Sequence, residues 1–194
     1  MEMNLAYTID LDHRVWIPVP MTYPWNGYAD SAAWSRDLAA SLLGEAGAPA
    51  EVVDAFRDAA GMMSSVAPPL PGALERFWHF PAAGAADRLV HLYVSDTEAS
   101  TAEDLAQLAV AGVGGIVQTV TVFEDTAFDV AISAVALARI GESEIAVLRV
   151  LGLSEGYVFV VELLEPDPVV LEQLQPEVEA LFRSIRLRRD EAQA

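Results

Sequence analysis

The sequence predicts an α+β fold in which an antiparallel β-sheet with a C-terminal four-strand meander is sandwiched between helices, an α/β/α sandwich. Between residues 115 and 166, runs rich in Val, Ile, Thr and Phe alternate with short turn sequences, which is typical of consecutive antiparallel strands. The last run, residues 157–164, is apolar at both side-chain parities except at Glu162, so its strand needs cover on both faces. Amphipathic segments before and after the meander supply that cover.

Composition predicts a single domain spanning 1–190, with a proline-rich stretch at 66–72 as the candidate boundary between 1–72 and 73–187. The chain has 194 residues, of which 53% are hydrophobic, which is enough to build one core. No run of about 18 apolar residues is present, so we expect no transmembrane segment. The first ten residues have neither a basic nor an apolar signal region, and the chain has no Cys. We therefore expect a cytoplasmic protein.

The charge balance argues against a nucleic-acid partner. The formal net charge is −18, and binding of phosphate backbones needs clustered cations. All 11 basic residues are Arg, and Ala and Val are abundant, which indicates a GC-rich coding bias.

The N-terminal region predicts a strand hairpin followed by an aromatic loop. Residues 3–9 and 14–19 have strand patterns, and prolines end the pairing. The loop that follows is rich in proline and aromatic residues, a composition that suits either a partner surface or a cover over the core. Our candidate partner-binding residues are Trp16, Tyr23, Trp25 and Tyr28. If they form a partner surface, at least two of them should be exposed and close together.

Two helices follow and pack as a helical hairpin. Asp30 or Ser31 can cap the first helix, which runs to about residue 43, and Pro49 suits the start of the second. The second helix has one apolar stripe and a charged opposite side, so we expect it to pack one face on the sheet.

The rest of the chain continues the α+β pattern. Strands are expected at 74–80 and 88–95, and Ser100 with Glu103 forms a capping box for a short helix. After the meander, Asp167 caps a long amphipathic helix, and Ile185 and Leu187 alternate as in a short terminal strand. Within the meander we expect five buried residues: Val130, Ile132, Val147, Val158 and Val160.

The order of elements from 74 to 187 resembles PsbP-like α/β/α sandwich proteins, including their actinobacterial lipoprotein-type relatives. The closing phrase Leu181-Phe182-Arg183-Ser184-Ile185-Arg186-Leu187 is similar to the one that ends those domains. The resemblance implies a binding or assembly protein, with no catalytic residues to carry over. Residues 1–72 depart from the pattern.

A search for chemistry finds no catalytic, metal or cofactor motif. The run Gly112-Val113-Gly114-Gly115 precedes a strand, whereas a phosphate cradle needs a helix N-terminus. His79 and His91 fall on opposite faces of their strands if the 80–89 connection is symmetric, with His79 opposite Val90 and His91 opposite Trp78; a one-residue slip would bring them together. No carboxylate or Cys lies at ligand spacing, so we do not predict a metal pair. We therefore expect no catalytic residues, no metal and no cofactor.

One polar constellation stands out inside the meander. Arg149 and Glu162 each interrupt an apolar strand, so each is costly to bury without the other. Antiparallel register places Ser133, Arg149 and Glu162 in one row across three strands. The row is either a structural ion pair or a polar patch that binds a ligand.

The sequence therefore favours a non-catalytic protein-binding or assembly factor, an adaptor attached to a secretion or envelope system as the resemblance implies. The alternatives are a small-molecule-binding domain with a cavity between helices and sheet, and an enzyme of an unrecognised family. We expect a protein partner; the oligomeric state stays open.

Overall fold

The computed structural model describes residues 6–44, 46–80 and 88–188. A π-helical turn, Ala40–Gly44, extends the first helix. The helices are α1 Ser31–Ala39, α2 Ala50–Ser65, α3 Ala102–Leu108 and α4 Pro168–Arg183. The strands are β1 Ala6–Ile9, β2 Trp16–Pro18, β3 Ala73–His79, β4 Arg88–Asp96, β5 Ile116–Val122, β6 Val130–Ile140, β7 Ser143–Ser154, β8 Tyr157–Glu165 and β9 Ile185–Arg188.

Seven strands form one antiparallel sheet in the order β2-β3-β4-β8-β7-β6-β5. β5 to β8 are adjacent, which confirms the predicted meander. Residues 130–137 lie within β6, although their Ala and Leu content also suits a helix. Two-residue turns join β6 to β7 at Gly141-Glu142 and β7 to β8 at Glu155-Gly156, so the register of these three strands is fixed locally.

The predicted N-terminal hairpin is wrong. β1 pairs with β9 in a separate two-stranded sheet, and β2 pairs with β3 at the edge of the main sheet. Between β1 and β2, the backbone N–H groups of Val15 and Trp16 both donate to the carbonyl of Asp12, which forms a helical turn rather than a hairpin turn. β1 is thereby free to pair with the strand that follows α4.

Helix caps agree with the sequence except at α3. Asp30 caps α1 and Asp167 caps α4, each with its side chain accepting from a backbone N–H of the first turn. The capping box of α3 lies one residue later than expected, because Thr101 and Asp104 exchange the two bonds. Here Asp, rather than Glu, reaches back to the N-cap backbone.

Helices cover both faces of the main sheet, which confirms the α/β/α sandwich. One face packs on α4 and on the β1-β9 pair, and we call it the α4 face; Phe159 and Phe182 lie buried between them. The opposite face, which we call the α3 face, carries two separate apolar clusters. One lies under α1 and α2 around Trp34 and Trp78, and the other lies under α3 around Leu105 and Leu151.

The predicted meander core is largely correct. Ile132, Val147 and Val158 are buried, whereas Val130 and Val160 are half-buried against the α3 cluster. Both half-buried residues lie on the α3 face. The shortness of α3 leaves part of that face uncovered.

Candidate functional site

The predicted pairing of Arg149 with Glu162 is confirmed. The two residues are direct cross-strand partners on β7 and β8. Arg149 Nε and Nη2 both donate to Glu162 Oε2, at 2.8 and 2.6 Å. Both side chains are buried, with 3% and 0% of their surface exposed. Two charges removed from water in this way are stable only because they are paired and hydrogen-bonded.

Ser133 does not belong to this row, contrary to our prediction. It pairs with Val150, because the β6 to β7 turn is centred between Gly141 and Glu142 rather than on residue 141. A one-residue change of register moves a side chain to the other face of the sheet. Ser133 therefore lies on the α4 face, where its Oγ donates to Glu179 Oε1 at 2.8 Å.

The row instead extends in the opposite direction, across four strands of the α3 face. Successive cross-strand partners are Arg76 on β3, His91 on β4, Glu162 on β8 and Arg149 on β7. All four are buried. We call them the polar row. It lies between the two apolar clusters of the α3 face.

Each arginine of the polar row closes the C-terminal end of a helix. Arg149 Nη1 donates to the carbonyls of Leu108, Ala109 and Ala111, at 2.7 to 3.2 Å, at the end of α3. Arg76 donates in the same way to three carbonyls at the end of α2: Met63, Ser64 and Val66. The last carbonyls of a helix lack intrahelical partners and carry partial negative charge, so a guanidinium there satisfies both needs.

The electrostatics of the row follow from burial. Burial, and to a lesser extent the neighbouring Arg76 guanidinium, together lower the pKa of His91 to about 4. Arg76 Nε donates to His91 Nε2 at 3.3 Å, so the neutral ring accepts at this nitrogen. Burial also raises the pKa of Tyr93, as does the Glu162 carboxylate. At neutral pH the row therefore contains two cations and one anion.

A cavity of about 260 Å³ opens beside the row, and we call it the Tyr93 cavity. Its apolar walls come from residues 70–72 before β3, from the end of α3 and from β8, and its polar end is formed by Tyr93, Arg149 and Glu162. Leu70 and Gly112 meet at one side, where a Cβ on Gly112 would lie 3.0 Å from Leu70 Cδ2. The Tyr93 hydroxyl donates to Glu162 Oε1 at 3.3 Å and accepts from the Leu70 N–H at 3.4 Å, both long for hydrogen bonds.

The histidines lie on opposite faces, as expected, but their partners differ by two residues from those predicted. His79 pairs with Arg88 and His91 with Arg76, and a shift of two keeps the parity of side chains. His79 is buried on the α4 face and contacts the Glu177 carboxylate of α4.

The four aromatic candidates do not form one exposed patch. Trp16 is 3% exposed and packs edge-on against His79 on the α4 face. Tyr23, Trp25 and Tyr28 are half-buried and pack on the cluster under α1 and α2. Trp16 is therefore not exposed, as a residue of a partner surface would be. The binding role of Tyr23, Trp25 and Tyr28 stays a prediction.

A tight turn organises part of that loop. The backbones of Trp25 and Tyr28 exchange both N–H to carbonyl bonds, at 2.9 and 2.8 Å. Asn26 and Gly27 between them have φ of 44° and 89°, as a two-residue hairpin turn requires. The Asn-Gly pair is the sequence signal for this turn, and our prediction of a loop did not include it.

The two edges of the main sheet differ strongly. β2 has three residues, is largely buried and ends at Pro18. β5 has seven residues, Ile116–Val122, with neither proline nor charge. Ile116 is 72%, Val120 44% and Val122 64% exposed. Among the described strands, only β6 pairs with β5.

The start of β5 depends on a glycine. Gly115 has φ of 104°, and a Cβ there would lie 2.2 Å from the Leu137 carbonyl oxygen. A register shift between Val117 and Thr119 is the one irregularity in the pairing of β5 with β6. From Thr119 onward the strand pairs without interruption, so its other side presents a regular row of backbone groups.

Within the described residues, no group of three His, Cys, Asp or Glu side chains is placed to hold a metal ion. No helix in the same part of the chain has the length and apolar character needed to cross a membrane.

Comparison with known proteins finds similar solved structures only. No family model and no curated protein matches the chain. A cyanobacterial PsbP (CyanoP) from Synechocystis sp. PCC 6803 is 12% identical, with a TM-score of 0.44, over 63% of this chain and 79% of its own. LpqN of Mycobacterium tuberculosis, described as involved in cell envelope biogenesis, is 10% identical, with a TM-score of 0.45. The match covers 95% of this chain and 84% of LpqN. The PsbP-like resemblance is thus found again, at identities that carry over no residue's role.

Proposed function

We propose that this chain is a non-catalytic protein-binding factor that takes up an extended segment of its partner along β5. The contrast between the two sheet edges supports this proposal. Natural proteins protect edge strands by making them short or by adding proline or charge, as β2 illustrates. β5 has neither proline nor charge and exposes large apolar side chains. An edge of this kind suits addition of a partner strand through backbone hydrogen bonds.

Side-chain alternation along β5 specifies the pattern of the partner strand. Val120 and Val122 lie on the α3 face, opposite Ala134 and Ile132 of β6, whereas Thr119 and Thr121 lie on the α4 face. Cross-strand neighbours on one face interact most favourably when both are β-branched or both can hydrogen-bond. The matching segment therefore alternates Val or Ile with Thr or Ser.

Charges at both ends of β5 indicate which residues should flank the partner strand. Glu124 and Asp125 follow the strand, and Glu142 and Glu144 lie at the hairpin tip near its start, where Arg139 is ion-paired with Glu144. The whole chain carries a formal charge of −18. Basic residues on either side of the partner's apolar centre complement this arrangement and accelerate association.

A pair of synthetic peptides tests the proposal. The first is Lys-Lys-Thr-Val-Thr-Val-Thr-Lys-Lys, and the second has Glu in place of every Lys. In a titration of ¹⁵N-labelled protein, we expect the basic peptide to shift and protect amides of Ile116–Val122. The acidic peptide should bind at least tenfold more weakly.

Two variants separate edge pairing from general charge attraction. Val120→Lys combined with Val122→Lys places cations on the edge and should abolish binding of the basic peptide. Val52→Lys combined with Met62→Lys adds the same charge at exposed positions of α2; it is the matched control and should bind normally. Equal binding by the edge variant, or concentration-dependent dimers that the edge variant dissolves, would contradict a basic partner strand. The expected cytoplasmic location and the attachment to a secretion or envelope system stay predictions.

A further inference from the structure

A second binding feature lies away from the β5 edge, at the polar end of the Tyr93 cavity. Its base is rigid, because Arg149 and Glu162 are both buried and hydrogen-bonded to each other and to the end of α3. The walls are apolar and include Leu108, Val158 and Val160. An apolar cavity with a few fixed polar groups at one end is typical of a small-molecule site.

The polar end has hydrogen-bonding capacity to spare. In the described part of the chain, Arg149 Nη2 donates one bond, to Glu162 Oε2, although it carries two hydrogens. The Tyr93 hydroxyl has partners only at 3.3 and 3.4 Å. An oxygen acceptor placed between these two groups would accept from Arg149 Nη2 and, in place of Glu162 Oε1, from the Tyr93 hydroxyl, whose single proton otherwise makes the long 3.3 Å bond.

The charge of the polar row favours an anionic acceptor. Arg149 is balanced by Glu162, but Arg76 is held by backbone carbonyls and the neutral His91, with no carboxylate partner among the described residues. The excess positive charge of the row lies on Arg76, which is not in the cavity lining but is separated from Glu162 by only one strand. In this buried setting electrostatic interactions are stronger than in water, so the charge still acts on a ligand at the polar end.

The cavity volume limits the ligand. About 260 Å³ corresponds to roughly nine water-sized groups, since a water molecule occupies about 30 Å³ of liquid. We infer that the Tyr93 cavity binds a small carboxylate with an apolar body of about this size, its carboxylate accepting from Arg149 and Tyr93 and its body lying against Leu108 and Val158. This inference does not depend on strand addition at β5.

Benzoate, benzamide and benzylammonium have the same ring and test the head group. In ¹H-¹⁵N spectra of the full chain, we expect benzoate to shift the amides of Tyr93, Leu108 and Arg149. Benzamide, which keeps an acceptor but no charge, should bind more weakly, and benzylammonium should not bind. Equal binding of benzylammonium, or no shift with benzoate up to tens of millimolar, would overturn the inference.

Two variants locate the site. Tyr93→Phe removes one donor and should weaken benzoate binding roughly tenfold, the loss expected for one hydrogen bond to a charged group. Ala111→Phe fills the cavity from an exposed position and should abolish binding, whereas Gln107→Phe, exposed on α3 outside the cavity, should leave it unchanged. Binding that survives Ala111→Phe would also overturn the inference.

Discussion

Arg76 and Arg149 each cap the C-terminal end of a different helix. Both lie on the α3 face of the sheet, and each donates to carbonyls at the C-terminal end of a helix, α2 for Arg76 and α3 for Arg149. Glu162 and His91 lie between them as consecutive cross-strand partners. The polar row thus fixes where two helices end on the sheet, and we expect substitution of its buried charges to be strongly destabilising.

The first prediction concerns Glu162. Glu162→Ala should lower the free energy of unfolding by about 3 kcal/mol, because it leaves the buried Arg149 guanidinium without its carboxylate. Glu144→Ala is the control, since its pair with Arg139 is exposed on both sides and should contribute less than about 1 kcal/mol. Urea denaturation of the three proteins checks both values. A similar loss for the two variants would contradict the burial of the pair.

The second prediction concerns pH. The pKa of His91 is about 4 in the native state and about 6.5 in the unfolded chain, so between these values the unfolded state binds more protons. Above about pH 6.5, His91 therefore does not reduce the free energy of unfolding. As the pH is lowered towards 4, His91 reduces it by about 3 kcal/mol in total.

Denaturation at a series of pH values measures this effect. His91→Gln keeps an acceptor for Arg76 but does not titrate, so its stability should fall less steeply in acid. His13→Gln, at an exposed position, should follow the unmodified chain. Identical slopes for all three proteins would exclude His91 as the source.

The third prediction addresses the aromatic loop. Tyr23→Ala combined with Trp25→Ala should lower the free energy of unfolding by about 3 kcal/mol, because both rings pack on the cluster under α1 and α2. Val52→Ala, at an exposed apolar position, should change it little. If Tm stays within about 1 °C in the double variant, the loop is not core cover, and its role as a partner surface gains support.

Local sequence signals predicted the meander and its ion pair. Arg149 and Glu162 interrupt apolar strands that a two-residue turn joins, so an error in register between them has little room to develop. Ser133 was placed on the wrong face because the turn between β6 and β7 is centred half a residue later than predicted. This shift makes Val150, rather than Arg149, the partner of Ser133.

Longer connections hid the remaining contacts. Arg76 is brought beside His91 by the register of β3 with β4. The sequence between those two strands has no tight-turn signal from which this register could be predicted. β1 pairs with β9 across most of the chain length, which no local pattern indicates.

The difference between the β2 and β5 edges also sets a stoichiometry. Growth of a sheet from molecule to molecule into a fibre needs two open edges on each copy, so that every addition exposes a new one. Here the β2 edge is only three residues long, is largely buried and ends at Pro18. Sheet growth therefore stops once a strand is added at β5, and each molecule binds one partner strand.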